Sequence, residues 1–253
     1  MNILSFEHVS FQYPGESSPI VDDLSFRVNP GSFHSIIGVS GCGKSTLFRL
    51  INGLLEPTSG VVSIHGRPVD GQTHDCGYMP QKDLLFPWRS IGENLALPLE
   101  IKGQSSKDER ESLIDAALTE VGLKGLKDRR VDELSGGMRQ RAAFARTMLT
   151  SSDLLLLDEP FSALDYFTRI AMQEWLLEQW QKHQKTILLI THDVEEALFL
   201  SSSVFVVEDT PIHHLQELVV PLNYPRRRQD LTRGSILALQ EQLVQRLRKR
   251  VSL

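Results

Sequence analysis

The sequence has little of several things, and each scarcity excludes something. It holds two cysteines, Cys42 and Cys76. That is too few for the disulfide framework of a small secreted fold, and it fits a reducing compartment. It has no basic excess: the formal net charge is −5. Nucleic-acid-binding domains carry a net positive surface, so no nucleic-acid partner is expected. No apolar run approaches the about 18 residues of a membrane-spanning helix, and no charged-then-apolar signal segment opens the sequence. A chain of this kind that serves a membrane is expected to do so from outside the bilayer. Repeats and low-complexity tracts are also missing. What is present is 253 residues, 41% hydrophobic and 23% charged, ample for a buried core in one large or two small units.

Hydrophobic patterning gives an α/β chain. "ILSFEHVSFQY" and "VVSIHG" alternate as strands of a half-exposed sheet do. "EPTSG", residues 56–60, predicts a turn after the first helix. The apolar runs in "TSSDLLLLDEP" and "KTILLITHD" fit parallel strands covered on both faces. "SSKDERESLIDAALTEVGL" predicts a helix with capping-box spacing at Ser106 and Glu109, and with Ile114, Ala117, Leu118 and Val121 on one face. Residues from about 90 to 150 are expected to be mostly helical, inserted between sheet-forming parts. "SILALQEQLVQRLRKRVSL" predicts a closing amphipathic helix, basic in its last turn where cations suit the dipole.

The densest chemistry is "GVSGCGKST", residues 38–46. Gly38, Gly43, Lys44 and Ser45 satisfy the P-loop spacing, between an apolar strand and a helix. Glycine lets successive N–H groups turn inward, and the helix start adds a positive end. Gly38, Ser40, Gly41, Cys42, Gly43, Lys44, Ser45 and Thr46 are therefore the expected phosphate cradle, with Lys44 on the β- and γ-phosphates and the Ser45 hydroxyl on Mg²⁺. Cys42 fills a backbone-contact position there and is given no redox role.

"LLLLDEP" narrows the chemistry. Alone it is equally a strand ending in a solvated Asp-Glu turn. With the cradle upstream, Asp158 fits the Mg²⁺ shell and Glu159 the base that deprotonates the attacking water.

"LSGGMRQRAAFAR", residues 134–146, is the most specific string. Ser135, Gly136 and Gly137 open a helix and offer N–H groups to an anion, a second phosphate-binding helix start in one chain. Together with the cradle and "LLLLDEP" it strongly resembles the ATP-binding-cassette (ABC) family of ATPases. Met138 departs from the commonest form of the motif, where glutamine is usual, as in several importer subfamilies. The resemblance runs from Phe6 to about Val207 and implies a P-loop cassette of class α/β, with a mostly parallel core sheet, an antiparallel β subdomain and an inserted helical subdomain. It implies head-to-tail pairing, the signature of one cassette closing over the ATP of the other. Tyr13, in "FQYPG", resembles the aromatic that stacks on adenine. Gln81, in "YMPQKDLLFPW", resembles the glutamine that senses Mg²⁺ and the attacking water. Ser162 to Asp165, "SALD", resembles the loop linking the two sites. His192, in "ITHDVEEA", resembles the switch histidine on the γ-phosphate.

The expected layout is an ATPase domain over 1–225, its helical part at about 88–150, and a tail over 226–253. Arg139, Arg141 and Arg146 are expected on a solvated helix face, and "PRRRQ", 225–229, in a solvated loop. Adjacent His213 and His214 lack metal-ligand spacing, and the closing helix is expected to pack on its own domain. "LLFPWRSIGENLALPLE" is a poor helix start, with Pro87 and an exposed-looking Trp88; an aromatic there suits a partner surface, with a core tryptophan as the alternative.

Three functions compete. The first is the energy-coupling ATPase of an importer, peripheral on the cytoplasmic face of the cell membrane. It would pair as a homodimer with two transmembrane permease subunits and work indirectly with an extracytoplasmic solute-binding protein. The stretch around Pro87 and Trp88, and the short chain after His192, resemble importers for nitrate, sulfonates, taurine and thiamine pyrimidine precursors. The second is a soluble ABC ATPase of iron–sulfur assembly or repair. The third is a nucleotide-gated module without turnover, which would lack the carboxylate or histidine that Glu159 and His192 supply.

Overall fold

The structure, a computed structural model, describes residues 2–71, 76–103, 106–150 and 152–248. Parts of three expectations lie outside the described residues: Ser105 at the head of the "SSKDERES" helix, Ser151 before the "LLLLDEP" strand, and 249–253 of the closing helix.

The elements run β1 (Leu4–Phe11), β2 (Val21–Val28), β3 (Phe33–Gly38), α1 (Lys44–Ile51), β4 (Ser59–Ile64), β5 (Arg67–Pro68), β6 (Cys76–Met79), α2 (Ile91–Lys102), α3 (Lys107–Glu120) and α4 (Gly136–Met148). They continue with β7 (Leu154–Asp158), α5 (Tyr166–His183), β8 (Thr186–Ile190), α6 (Val194–Leu200), β9 (Ser203–Val207), β10 (Gln216–Val219) and α7 (Gly234–Arg248). The chain divides into two compact units, one of Met1–Asp75 with Leu177–Leu253, the other Cys76–Leu176.

In the first unit, β2-β1-β4-β5 form an antiparallel sheet. In a second layer β3 lies between β8 and β9, parallel to both, and β10 pairs antiparallel to β9. Every residue of β3, β8 and β9 is buried. Their apolar runs take this form because a parallel sheet is covered on both faces. The alternation expected in β1 changes phase. Leu4 and Phe6 are buried, then Val9 and Phe11, because the register with β2 slips between Phe6 and Val9 around His8, whose φ is 52°. An extra residue in one strand shifts every following side chain to the other face. The expected turn at residues 56–60 is shorter, since β4 already begins at Ser59, paired with Ser10.

In the second unit, β6 and β7 pair in parallel, accompanied by α2, α3 and α4. The capping box of α3 is present: Glu109 N–H donates to Ser106 Oγ (3.3 Å) and Ser106 N–H to Glu109 Oε2 (2.8 Å). The start of α2, which the sequence made look poor, has the same device. Glu93 N–H donates to Ser90 Oγ (3.2 Å) and Ser90 N–H to Glu93 Oε2 (2.7 Å). Pro87 and Trp88 precede that cap and do not interrupt it.

The "PRRRQ" segment is only in part the solvated loop expected: Pro225, Arg227 and Gln229 are exposed, Arg228 is half-buried and Arg226 is buried. Arg226 is 6% exposed. Its Nη1 donates to the carbonyls of Leu198 (2.9 Å), Phe199 (3.2 Å) and Ser201 (2.7 Å), and its Nη2 to that of Leu222 (2.9 Å). The last carbonyls of a helix have no partner within it, and here a cation at the C-terminal end of α6 satisfies them. Arg228 lies over the Phe199 ring at 3.9 Å. The closing helix packs on its own unit: Ile236 and Leu243 of α7 are fully buried, and Arg246 pairs with Glu208 at 2.6 Å. Among the described residues no helix is long and apolar enough to cross a membrane.

Replacing Arg226 by Met would strip these carbonyls of their donor. A loss of about 2–3 kcal/mol is expected, read as a lower urea midpoint. A midpoint within error of the parent would show that the carbonyls find other partners.

Candidate active site

The cradle is built by β3, which ends at Gly38, and α1, which starts at Lys44. Gly43 caps α1 at φ 100°, and a Cβ there would meet Ile20 Cγ2 at 2.5 Å. Only glycine takes this turn without strain. A Cβ on Gly38 would lie 2.8 Å from Cys42 Sγ and 3.0 Å from Val207 Cβ, so the loop is drawn tightly against the strand end. The Lys44 ammonium, largely buried, donates to the carbonyls of Gly38 and Val39, both at 2.9 Å. Cys42 is buried beneath it. Ser40 and Gly41 are exposed at the rim. The first turn of α1 has no acidic residue, so its positive end is not neutralised from within that turn. Tyr13 belongs to this loop: its hydroxyl bonds that of Thr46 (3.2 Å), Arg49 donates to it (3.3 Å), and its ring packs edge-on to Phe11 at 4.8 Å. In the same unit His192 is exposed between β8 and α6. Asp193 fixes that junction by accepting from Glu195 N–H (2.9 Å) and Glu196 N–H (3.2 Å).

In the second unit the apolar strand β7 ends in Asp158, 4% exposed. Glu159 follows at φ 50°, a left-handed conformation that is uncommon for a side-chain-bearing residue and concentrates at functional sites. The turn after it holds it there, with Ser162 donating to the Glu159 carbonyl from N–H (3.2 Å) and Oγ (2.9 Å). Gln81 Nε2 donates to Glu159 Oε2 at 3.0 Å. The structure thus joins Gln81 to Glu159, beside Asp158. Ser135 caps α4, its Oγ accepting from Met138 N–H (3.3 Å). Ser135 and Gly136 are exposed, and the first turn of α4 has no acid. Met138 supplies a backbone N–H to the cap, a role that any residue except proline fills.

The three arginines of α4 are not a solvated face. They are half-buried and clamp loops of their unit. Arg139 pairs with Asp83 at 3.2 Å, Arg141 donates to the Val121 carbonyl at 2.9 Å, and Arg146 donates to the carbonyls of Asp83 and Leu84, both at 2.9 Å. Burial pulls the Arg146 pKa below its ordinary value, opposed by Asp83. The clamped loop continues from Gln81 to Trp88. Asn94, fully buried, ties its far side by accepting from Phe86 N–H (2.7 Å) and donating to the carbonyls of Phe86 (3.2 Å) and Ser90 (2.9 Å). Trp88 stands out of this fixed loop, 70% exposed, with Leu84 and Phe86 beside it. Sequence reasoning passed over Asn94 and Gln140; the only signal for either was a polar residue on an otherwise apolar helix face.

Residues 21–162 match the family described as "ABC transporter". The formylaminopyrimidine import ATP-binding protein ThiZ of Halalkalibacterium halodurans is 48% identical over 227 residues, 89% of this chain and 87% of that one. The taurine import ATP-binding protein TauB of Pseudomonas fluorescens is 41% identical, over 83% and 80%. Among solved structures, a dimeric ATP-binding cassette in a post-hydrolysis state with ADP and Pi has TM-score 0.78 at 26% identity, covering 87% of this chain and 100% of that one. The cbiO1 protein of Clostridium perfringens has TM-score 0.75 over 99% and 96%, at 23% identity, a likeness of fold.

The chain belongs to the ABC transporter family. Within it, this is the ATP-hydrolysing, energy-coupling subunit of an importer, a peripheral protein that pairs as a cassette dimer and works with permease subunits.

Lys44→Ala is expected to lower ATP affinity by roughly tenfold to a hundredfold, the worth of one charge-assisted contact set, measured by titration calorimetry. Unchanged affinity would remove Lys44 from the phosphates.

Proposed function

We propose that this subunit closes on ATP as a homodimer, reopens on hydrolysis, and so powers uptake of a small polar solute of the sulfonate or pyrimidine-precursor class. The names of the relatives support the cargo class, taurine for one and formylaminopyrimidine for another. The observation that carries the coupling is the Gln81–Glu159 hydrogen bond at 3.0 Å. It ties the hydrolytic carboxylate to the start of the loop that presents Trp88.

In the proposed mechanism Lys44 neutralises the β- and γ-phosphates, the N–H groups of residues 41–46 hold their oxygens, and Tyr13 stacks on the adenine. Water adds to the γ-phosphorus as the bond to the β-phosphate oxygen breaks, and Glu159 accepts its proton. Gln81 orients that carboxylate and the water. His192 bonds the γ-phosphate, while Ser135, Gly136 and Gly137 of the second copy face it. Ser45, Gln81 and Asp158 would hold Mg²⁺. One carboxylate and neutral oxygens beside phosphates form the hard donor set this ion takes. When bound, it spreads the charge that develops on the phosphate oxygens.

Two transmembrane permease subunits would dock around Trp88 on the cytoplasmic face of the membrane, with a solute-binding protein delivering cargo on the other side. Among aromatic residues at interfaces, tryptophan is one of the most enriched.

Glu159→Gln removes the base and keeps the shape. Hydrolysis is expected to fall by roughly a hundredfold or more, with ATP binding retained, in a steady-state phosphate-release assay. Undiminished turnover would place the base elsewhere.

A further inference from the structure

Gln140 lies one turn into α4, 4% exposed, and no step of the mechanism uses it. Its Nε2 donates to the carbonyl of Glu159 at 3.2 Å, and its Oε1 accepts from the N–H of Ala163 at 2.9 Å. That carbonyl and that N–H are four residues apart. They are the pair that one α-helical turn would join directly. The side-chain amide of Gln140 is inserted between them and satisfies both. The turn is therefore held open, closed instead by the shorter bonds from Ser162 to Glu159 and from Leu164 N–H to the Phe161 carbonyl (3.2 Å). A planar group that donates from one end and accepts at the other does this, and the amide side chain of Gln140 provides both functions.

The clamp acts on the residue whose backbone is strained. Glu159 stands at φ 50°, a conformation that persists only where its surroundings over-determine it. We propose that Gln140 is a positioning residue. By splitting the turn from Glu159 to Ala163 it fixes the backbone of the hydrolytic carboxylate and of the SALD loop to the same helix whose first residues are Ser135–Gly137. The inference rests on the reading of Glu159 as the base. It adds that the base takes its orientation from α4, so that whatever seats against the start of that helix also sets the carboxylate. The side chain of Glu159 is held by Gln81, and its carbonyl is held by Ser162 from within its own turn and by Gln140 from α4.

Two variants test this in the purified full-length chain. Gln140→Glu is isosteric and keeps an acceptor for Ala163, while it sets a carboxylate oxygen against the Glu159 carbonyl. Gln140→Met removes both bonds at nearly constant volume. Both are expected to lower kcat for ATP by roughly tenfold or more, with KM for ATP changed by less than about twofold. Added to Glu159→Gln, neither lowers the residual single-turnover rate further, because a group that acts through Glu159 has nothing left to position. Should Gln140→Met fail to fold, Gln140→Glu decides alone. An unchanged kcat, a rise in KM without a fall in kcat, or losses that multiply in the double variant would each overturn the proposal. Undiminished turnover in Glu159→Gln by itself contradicts the base assignment, and the proposal with it. That failure is separable, since this variant leaves Gln140 in place.

Discussion

The first N–H groups of an α-helix have no partner inside it, and the proposed function of this chain rests on where its helix first turns carry no carboxylates. Helices α2, α3 and α6 carry acids in their first turns: Glu93, Asp108 with Glu109, and Glu195 with Glu196. Helices α1, α4, α5 and α7 carry none; of these, α1 and α4 open on Gly43-Lys44-Ser45 and Ser135-Gly136-Gly137. An anion is favoured at such an end by the aligned peptide dipoles and the exposed donors together. In the proposed mechanism the start of α1 takes the phosphates and the start of α4 faces the nucleotide of the second copy, which would make association conditional on ATP.

Much of this was legible in the sequence because it is local. The spacing of Gly38, Gly43, Lys44 and Ser45 spans eight consecutive residues. The buried strands β7 and β8 are unbroken apolar runs, and the α3 cap is a four-residue pattern. The readings that failed concern side chains whose partners are remote in sequence. Arginine is seldom buried unless paired, so composition put Arg226, Arg139, Arg141 and Arg146 in solvent. Their partners are backbone carbonyls and a carboxylate: Leu198 for Arg226, Asp83 for Arg139, Val121 for Arg141, Leu84 for Arg146. No spacing rule announces a carbonyl. The α2 cap was local and still missed, because Pro87 and Trp88 drew attention away from Ser90 and Glu93. The β1 bulge was hidden because apolar residues stand on both sides of the slip.

These remote contacts determine how the site is held. Asp83 and Leu84 are fixed by arginines of α4, and Phe86 by Asn94, so Trp88 stands on a loop anchored at both ends. Gln81, at one end of that loop, reaches the Glu159 carboxylate. A displacement of the loop would reach Glu159 through the Gln81 hydrogen bond. Arg226 does a comparable task for α6, bonding its last carbonyls, while Asp193 bonds its first N–H groups next to His192. In each case a buried or half-buried polar side chain holds a segment next to a candidate site residue or Trp88.

The most direct measurement is a pull-down from native membranes. The chain would be tagged in its Glu159→Gln form, solubilised with Mg-ATP present, and its companions identified by mass spectrometry. Energy coupling through the Trp88 loop predicts a multi-helix membrane protein in the eluate, and its loss when Trp88→Ala is added. Soluble partners only, or none, would contradict it.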